Sequence, residues 1–486
     1  MDFLFDVFIG LFDVRLILFV FLGALSGLLI GALPGLSVTM ATSLLVSITY
    51  SWNSSDAISM IMGVYVVGVF AGSISAILLN IPGAPSSIVT VIEGYPLAKK
   101  GRAYEAIRYS CVYSFVGTFF GFIALAFLAK FISKIAIGFA PIDYFLLAVI
   151  SFFSVGAISN YKIKTYISAC IGLILSLVGI DSISGLPKLT FGIYELNGGF
   201  SVVPILIGIF GISQVMVNIY NGREKVDNIE IKKVNIKFTD LSKYFKKSLL
   251  YSAIGSLIGA LPGAGGPVAS QISYAFGKKT SKEKDEYLKG SIEGLVASES
   301  ANNACVGGAL IPMLSLGIPG DAVTAVLLGV FLVHGLNPGP LFISTNLSLF
   351  SSIISAGIIG SIFLLILGIF VAPRVAKLLK VNPAILNTII IVLCIVGSYS
   401  IRNRVFDVYV MLIFGILGFF MREKNYPVAP LVLGVVLGRM MDDNLRRSLS
   451  LFKASGISNN LTTITPFLLI IIISIVIFQI IGFYKK

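Results

Sequence analysis

Between Ile292 and Pro340 the chain is apolar enough to lie in a bilayer, yet it carries Glu293, Glu299, Asn302, Asn303 and Asp321 and is interrupted by Gly317-Ile-Pro-Gly320. Hydrocarbon offers such groups no hydrogen-bond partners. Polar side chains at membrane depth therefore face a protein interior or a water-filled cavity and mark a pathway. A helix broken at that depth persists only where the freed backbone is buried in protein or lines water. The stretch thus demands a bundle of membrane helices with a polar interior. Composition agrees: 56% of the 486 residues are hydrophobic, 12% are charged and mean hydropathy is +0.96, against about 25% charged in soluble domains. The expected fold is an all-α polytopic membrane protein with about 10–12 spans, each needing about 20 apolar residues.

The break has counterparts. Gly31-Ala-Leu-Pro-Gly35 recurs as Gly259-Ala-Leu-Pro-Gly263, and Ile81-Pro-Gly83 recurs as Ile318-Pro-Gly320. Each half of the chain reads in one order: apolar span, Pro-Gly, short apolar run, loop, apolar span, Ile-Pro-Gly, short apolar run. Loop charge flips between the halves. The segment Ser51–Asp56 lacks Lys and Arg, whereas Gly277–Gly290 holds Lys278, Lys279, Lys282, Lys284 and Lys289. Because basic loops stay cytoplasmic, the flip predicts two inverted-topology repeats whose Pro-Gly-broken helices are re-entrant or discontinuous. The repeats are expected at 1–220 and 248–486. Between them, 221–247 is a cytoplasmic basic linker with eight Lys/Arg against four Asp/Glu.

Further spans are expected near Ala106–Leu128, Ile142–Ser159, Thr165–Ile180 and Val202–Ile219, with a Gly-rich external loop at Asp181–Phe200. The second half adds Ser348–Val371, Ala384–Tyr399, Tyr409–Phe420, Val428–Arg439 and Thr465–Phe483. In this topology Arg402, Arg404, Arg446 and Arg447 fall outside, against the charge rule. The residues before Arg15 are too acidic for a signal peptide and read as a short interfacial helix. The net charge of +13 lies in loops, so it reads as membrane topology and not as nucleic-acid binding. Cys111, Cys170, Cys305 and Cys394 lack metal-type spacing and read as small buried hydrophobes.

The start of a half-helix offers unpaired N–H groups and a positive dipole end, which suit a carboxylate; the end before a break offers free carbonyls, which suit Na⁺. The expected substrate site takes Pro34, Gly35 and Ser37 from the first break, and Asn80, Pro82, Gly83, Ser86 and Ser87 from the second. Pro262, Gly263 and Gly265 come from the third; Asn302, Asn303, Pro319, Gly320 and Thr324 belong to the last. Each hydroxyl has a plainer role available, bonding back to its own helix. Glu299 lies three and four residues before the asparagines and shares their face. It is read as coordinating Na⁺, as a protonatable group for H⁺ coupling, or as a structural hydrogen-bond acceptor. Asp321 is a second candidate for cation coupling or a helix cap. Glu293 reads as interfacial and His334 as packed. No metal cluster, nucleophile–base pair or nucleotide fingerprint is present, which argues against an enzyme or a bound cofactor. An ion channel would favour rings of charge over paired breaks.

At these motifs the sequence resembles the large permease subunit of the tripartite tricarboxylate transporters, the TctA family. The resemblance rests on GALPGL near the first span, NIPGAPSSIVTVIEGYPLAKKGRAYEA, KLTFG at Lys188–Gly192, GALPGAGG, and IEGLVASESANNACVGGALIPMLSLGIPGDAVTAVLLG through GLNPGP. It implies a secondary transporter in the cell (cytoplasmic) membrane for tri- or dicarboxylates such as citrate, coupled to Na⁺ or H⁺. It also implies two partners, a small four-helix membrane subunit and an extracytoplasmic solute-binding protein. The alternative is a Na⁺- or H⁺-coupled carrier of another small organic acid that needs no binding protein.

Overall fold

The computed structural model describes residues 2–33, 35–159, 161–181, 184–221, 238–375, 383–457 and 460–484. Most of the expected linker, 222–237, and Pro34 of the first break lie outside the described residues. The described chain is helical apart from a two-residue hairpin, β1 (Gly179–Ile180) with β2 (Pro187–Lys188).

After α1 (Asp2–Gly10) come α2 (Val14–Ala32), α3 (Val38–Ile48), α4 (Ser54–Leu79), α5 (Ile88–Leu97), α6 (Ala103–Ala136), α7 (Pro141–Ile158), α8 (Lys162–Ser176) and α9 (Val202–Asn221). The second half gives α10 (Phe245–Gly259), α11 (Gly265–Thr280), α12 (Ile292–Leu316), α13 (Ala322–Val333), α14 (Leu347–Phe370), α15 (Pro383–Ser400), α16 (Val405–Glu423), α17 (Val428–Ser455) and α18 (Thr465–Tyr484). Six helices among the described residues are long and apolar enough to cross a membrane, and five shorter apolar helices accompany them. Large side chains exposed on the outer helices, among them Phe127, Phe131, Ile413, Phe420 and Ile470, are apolar. That is the surface lipid requires.

Side-chain caps start several of these helices. Asp13 accepts from the backbone N–H of Arg15 and Leu16, Asn53 from Ser55, and Ser291 from Gly294. Two helices exceed their expected length. Helix α6 runs on to Ala136 and spans about 50 Å at about 1.5 Å per residue; Lys130 stays on it with its ammonium 3.4 Å from the centre of the Phe3 ring. It begins at Ala103, three residues before the expected Ala106. Helix α17 continues past Arg439 to Ser455. There Arg446 meets Asp442 at 2.9 Å and Asp181 at 3.2 Å, while Lys188 meets Asp442 at 2.6 Å and also pairs with Asp181. Arg404 donates to the carbonyl of Glu195. Arg446 and Arg404, two of the four arginines expected outside against the charge rule, are thus held by the β1–β2 hairpin and the loop after it.

The packing partners of the two halves exchange. Helix α2 lies along α4, and α10 along α12; α6 packs on α12, and α14 on α4; α7 and α8 pack on α17, and α15 and α16 on α9. Glycine allows the closest of these approaches. A Cβ on Gly23, Gly27 or Gly31 would sit 2.0–2.7 Å from carbonyls of α4, and one on Gly255 or Gly259 would sit 2.2–2.8 Å from carbonyls of α12. Such small-residue contacts replace the hydrophobic effect as the packing force between helices in lipid. Helix α12 is central and is buried throughout from Ile292 to Ser315. Glu293, expected at the interface, is one of its buried residues; it accepts from Lys247, Tyr251 and Ser281. Cys170 departs from expectation in the other direction and is exposed. His334 ends α13 half-buried.

Candidate functional site

All four motifs interrupt helices, and each pair does so in one way. Gly35 and Gly263 sit at φ +79° and +76°, where a side chain is disfavoured. Helices α4 and α12 end on left-handed residues, Asn80 and Gly317, and the glycine of the Ile-Pro-Gly that follows packs on helix backbone. A Cβ on Gly83 would lie 2.6 Å from the Cα of Gly72, and one on Gly320 the same distance from the Cα of Ala309.

The helix starts that follow these breaks meet at one cavity of about 260 Å³. Ser37, Val38 and Thr39 bring the start of α3; Ala84, Pro85 and Ser86 bring the turn that leads into α5. Gly263 through Pro267 bring the start of α11, and Asp321, Ala322 and Val323 that of α13. Tyr65 and Val69 of α4 and Asn302, Cys305 and Val306 of α12 form the walls, with Ala429 of α17. Among the described residues the lining contains no Lys, Arg or His.

Asp321 caps α13. Its carboxylate accepts from the N–H of Thr324 at 2.7 Å, the Thr324 hydroxyl at 2.8 Å and the Tyr65 hydroxyl at 2.6 Å. Ser37 caps α3 by accepting from the N–H of Met40. Asn302 is buried, and its amide Nδ2 has no hydrogen-bond partner among the described residues. A Cβ on Gly266 would stand 2.4 Å from Asn302 Oδ1, so a glycine is required beside this amide.

Of the residues expected at a substrate site, Ser37, Ser86, Gly263, Gly265 and Asn302 therefore line one cavity, and Asp321, expected as a cation-coupling residue or a helix cap, lines it with them. The others lie outside its lining. Gly35, Pro82, Gly83, Pro262, Pro319 and Gly320 shape the breaks, Asn80 is an exposed helix end, and Thr324 serves the Asp321 cap. Ser87 is fully buried behind the cavity with no partner for its hydroxyl. Tyr65 had no signal beyond being a lone tyrosine in an aliphatic helix.

Glu299 and Asn303 face a second polar region. Glu299 is fully buried and accepts from hydroxyls on three helices: Ser73 of α4 at 2.8 Å to both carboxylate oxygens, Thr90 of α5, and Ser110 and Ser114 of α6 at 3.1 and 3.0 Å. Asn303 donates to Ser114 Oγ at 2.8 Å and to the Glu299 carbonyl at 2.9 Å. The shared face expected for Glu299 and both asparagines is thus divided. Asn302 turns to the cavity, Asn303 to the carboxylate. Ser110 and Ser114, four residues apart in an apolar span, were the available sequence signal.

A multi-pass helical membrane protein with interrupted helices converging on one cavity has the build of a transport protein. The family comparison agrees. The model of the tripartite tricarboxylate transporter TctA family matches residues 17–433, and the chain belongs to that family of transporters. It is 34% identical over 447 residues to the uncharacterized 52.8 kDa protein in the TAR-I ttuC' 3'region of Agrobacterium vitis, covering 90% of this chain and 88% of that one. It is 39% identical over 202 residues to an uncharacterized protein in the TAR-II ttuC' 3'region of the same organism, covering 42% of this chain and 84% of that one. No solved structure matches the chain.

Proposed function

We propose that the protein is the permease of a carboxylate importer of the cytoplasmic membrane, moving a tri- or dicarboxylate such as citrate together with Na⁺ or H⁺. The carrying observation is the meeting of four helix starts at one cavity without a basic side chain. The dipole ends of these helices supply positive potential there, and the Nδ2 of Asn302, without a partner among the described residues, adds a donor. A volume of about 260 Å³ suits a small acid, below the roughly 300–1,000 Å³ of drug-sized sites. The exchange of packing partners between α2–α9 and α10–α17 supports two inverted repeats, 1–220 and 248–486, rocking about a site at their interface. The family's tripartite description supports an extracytoplasmic solute-binding protein that delivers substrate and a small four-helix membrane subunit.

The test is uptake of labelled citrate into proteoliposomes, with the candidate binding protein outside, under an imposed Na⁺ or H⁺ gradient. Uptake that collapses when one gradient is removed supports the reading and names the ion. Folded protein that moves no di- or tricarboxylate under either gradient overturns it.

A further inference from the structure

We infer that Glu299 and the hydroxyls around it form a binding site for one dehydrated Na⁺ ion, separate from the anion cavity. The inference deepens the carrier reading and rests on it for the ion's role in transport.

Glu299 sits two turns into the buried helix α12, and no ion pair among the described residues involves it. A carboxylate removed from water without a counter-charge is costly. Its partners are hydroxyls alone. Many other helical hydroxyls bond back to their own helix, as Thr42, Ser43, Ser252, Ser315 and Ser351 do. Ser73, Thr90, Ser110 and Ser114 are instead turned toward a single carboxylate. A hydroxyl that donates to a carboxylate still has lone pairs to offer. Four such oxygens and one carboxylate make a shell of hard oxygen ligands with a single negative charge, which matches a monovalent hard cation.

Asn303 gives the independent indication. Its Nδ2 is fixed by Ser114 and the Glu299 carbonyl, while its fully buried Oδ1 has no partner. A proton on Glu299 would engage a single acceptor, this oxygen or one hydroxyl. A cation beside the carboxylate engages this oxygen and the four hydroxyl oxygens together.

The position also supplies a coupling route. Helix α12 carries Asn302 to the cavity and Asn303 to the carboxylate. The segment that brings Ser86 to the cavity brings Thr90 to Glu299. An ion that draws α4, α5, α6 and α12 together therefore fixes two walls of the anion site, and each ligand must favour the other by the same factor.

The test is equilibrium binding of radiolabelled Na⁺ to purified full-length protein without substrate, paired with thermal unfolding in NaCl against choline chloride at constant ionic strength. Saturable binding and a Na⁺-specific rise in unfolding temperature are expected for the wild type. Both should vanish in Glu299→Gln. Ser114→Ala and Asn303→Ala, which keep the charge, should raise the half-saturating Na⁺ concentration about tenfold, the scale of losing one good polar contact. Glu283→Gln, at an ion pair in the loop before α12, should leave it unchanged. Should Glu299→Gln not fold, the two smaller variants decide. Folded wild type that binds no Na⁺, binding unaltered by these substitutions, or unfolding that follows pH but not Na⁺ would each overturn the site. Na⁺ binding here without gradient-driven anion uptake would refute the carrier reading and leave the site standing; anion uptake with no Na⁺ bound would do the reverse.

Discussion

Glu93 and Glu299 are both fully buried, and each accepts hydrogen bonds from four residues. The donors differ in kind. Glu93 takes the backbone N–H groups of Leu288, Gly290 and Ser291 at 2.7–3.0 Å and the Tyr274 hydroxyl at 2.6 Å. Backbone N–H is donor-only and fixed in place, so three of these partners have nothing to offer a cation. The arrangement ties the end of α5 to the start of α12, where a negative group also suits the helix dipole. Glu299 is surrounded by groups that donate and accept. Two equally buried acids thus have different work: one closes a joint, the other keeps its surroundings able to take a ligand. Burial and hydrogen-bond number do not separate them; the lone pairs of the partners do.

The sharpest way to break this contrast is to remove the joint. Glu93→Ala strands three backbone donors and a tyrosine hydroxyl, and should cost about 3–5 kcal/mol. The loss should be the same in NaCl and in choline chloride, as measured by thermal unfolding in detergent. A Na⁺-dependent loss would make Glu93 part of an ion site and end the distinction.

A subtler comparison replaces only the charge. Glu93→Gln should be destabilised yet keep the wild-type Na⁺-dependent rise in unfolding temperature, read as the difference between the two salts. If Glu93→Gln lost that rise, the division of labour between the two acids would fail.

The neighbouring asparagines give the next smaller effect. Asn302→Ala should weaken citrate binding about 10–100-fold, the scale of one hydrogen bond to a charged group, and leave Na⁺ half-saturation untouched. Asn303→Ala should show the opposite pattern. Measuring Na⁺ binding without citrate, and citrate binding at saturating Na⁺, separates the two. Equal effects of both variants on both ligands would merge the cavity and the carboxylate region into one site.

Much of this was legible in the sequence because Pro-Gly and Ile-Pro-Gly act locally. They stop helices wherever they occur, and all four stops are in place, with Pro34 itself outside the described residues. What the motifs do not encode is convergence. That Ser37, Ser86, Gly265 and Asp321 share a cavity follows from the packing of helices hundreds of residues apart. The role of Ser73, Ser110 and Ser114 was hidden for a related reason. A serine that bonds back to its helix and one that turns to Glu299 look alike until the neighbouring helix is known. The end of α17 was misjudged because Asp442-Asp-Asn-Leu-Arg446 reads as a polar loop. In the folded chain Asp442 and Arg446 lie four apart on a helix and pair across one turn.

The smallest effect belongs to an acid outside the membrane, the counterpart that buried Glu93 and Glu299 need as a control. Glu283, in the loop before α12, meets Lys243 at 2.9 Å, and both side chains are well exposed. The hydrogen bond from Lys243, chiefly, holds its carboxyl below the usual 4.5, against a smaller opposing effect of burial. A depressed acid adds stability above its unfolded pKa and loses it as pH falls through the folded one. The gap in stability between wild type and Glu283→Gln should therefore be flat near neutral pH and close in acid, below the ordinary glutamate range of about 4.3. Its size should stay under about 1 kcal/mol, since water and salt screen an exposed pair. Raising the salt should shrink it further, whichever monovalent cation is used. That indifference to ion identity is what a solvated pair must show and what the region around Glu299 must not. Thermal unfolding of the two proteins across pH, in NaCl and in choline chloride, checks both halves of the claim, and a Na⁺-selective response at Glu283 would mean that the salt-dependent readout does not report the buried site.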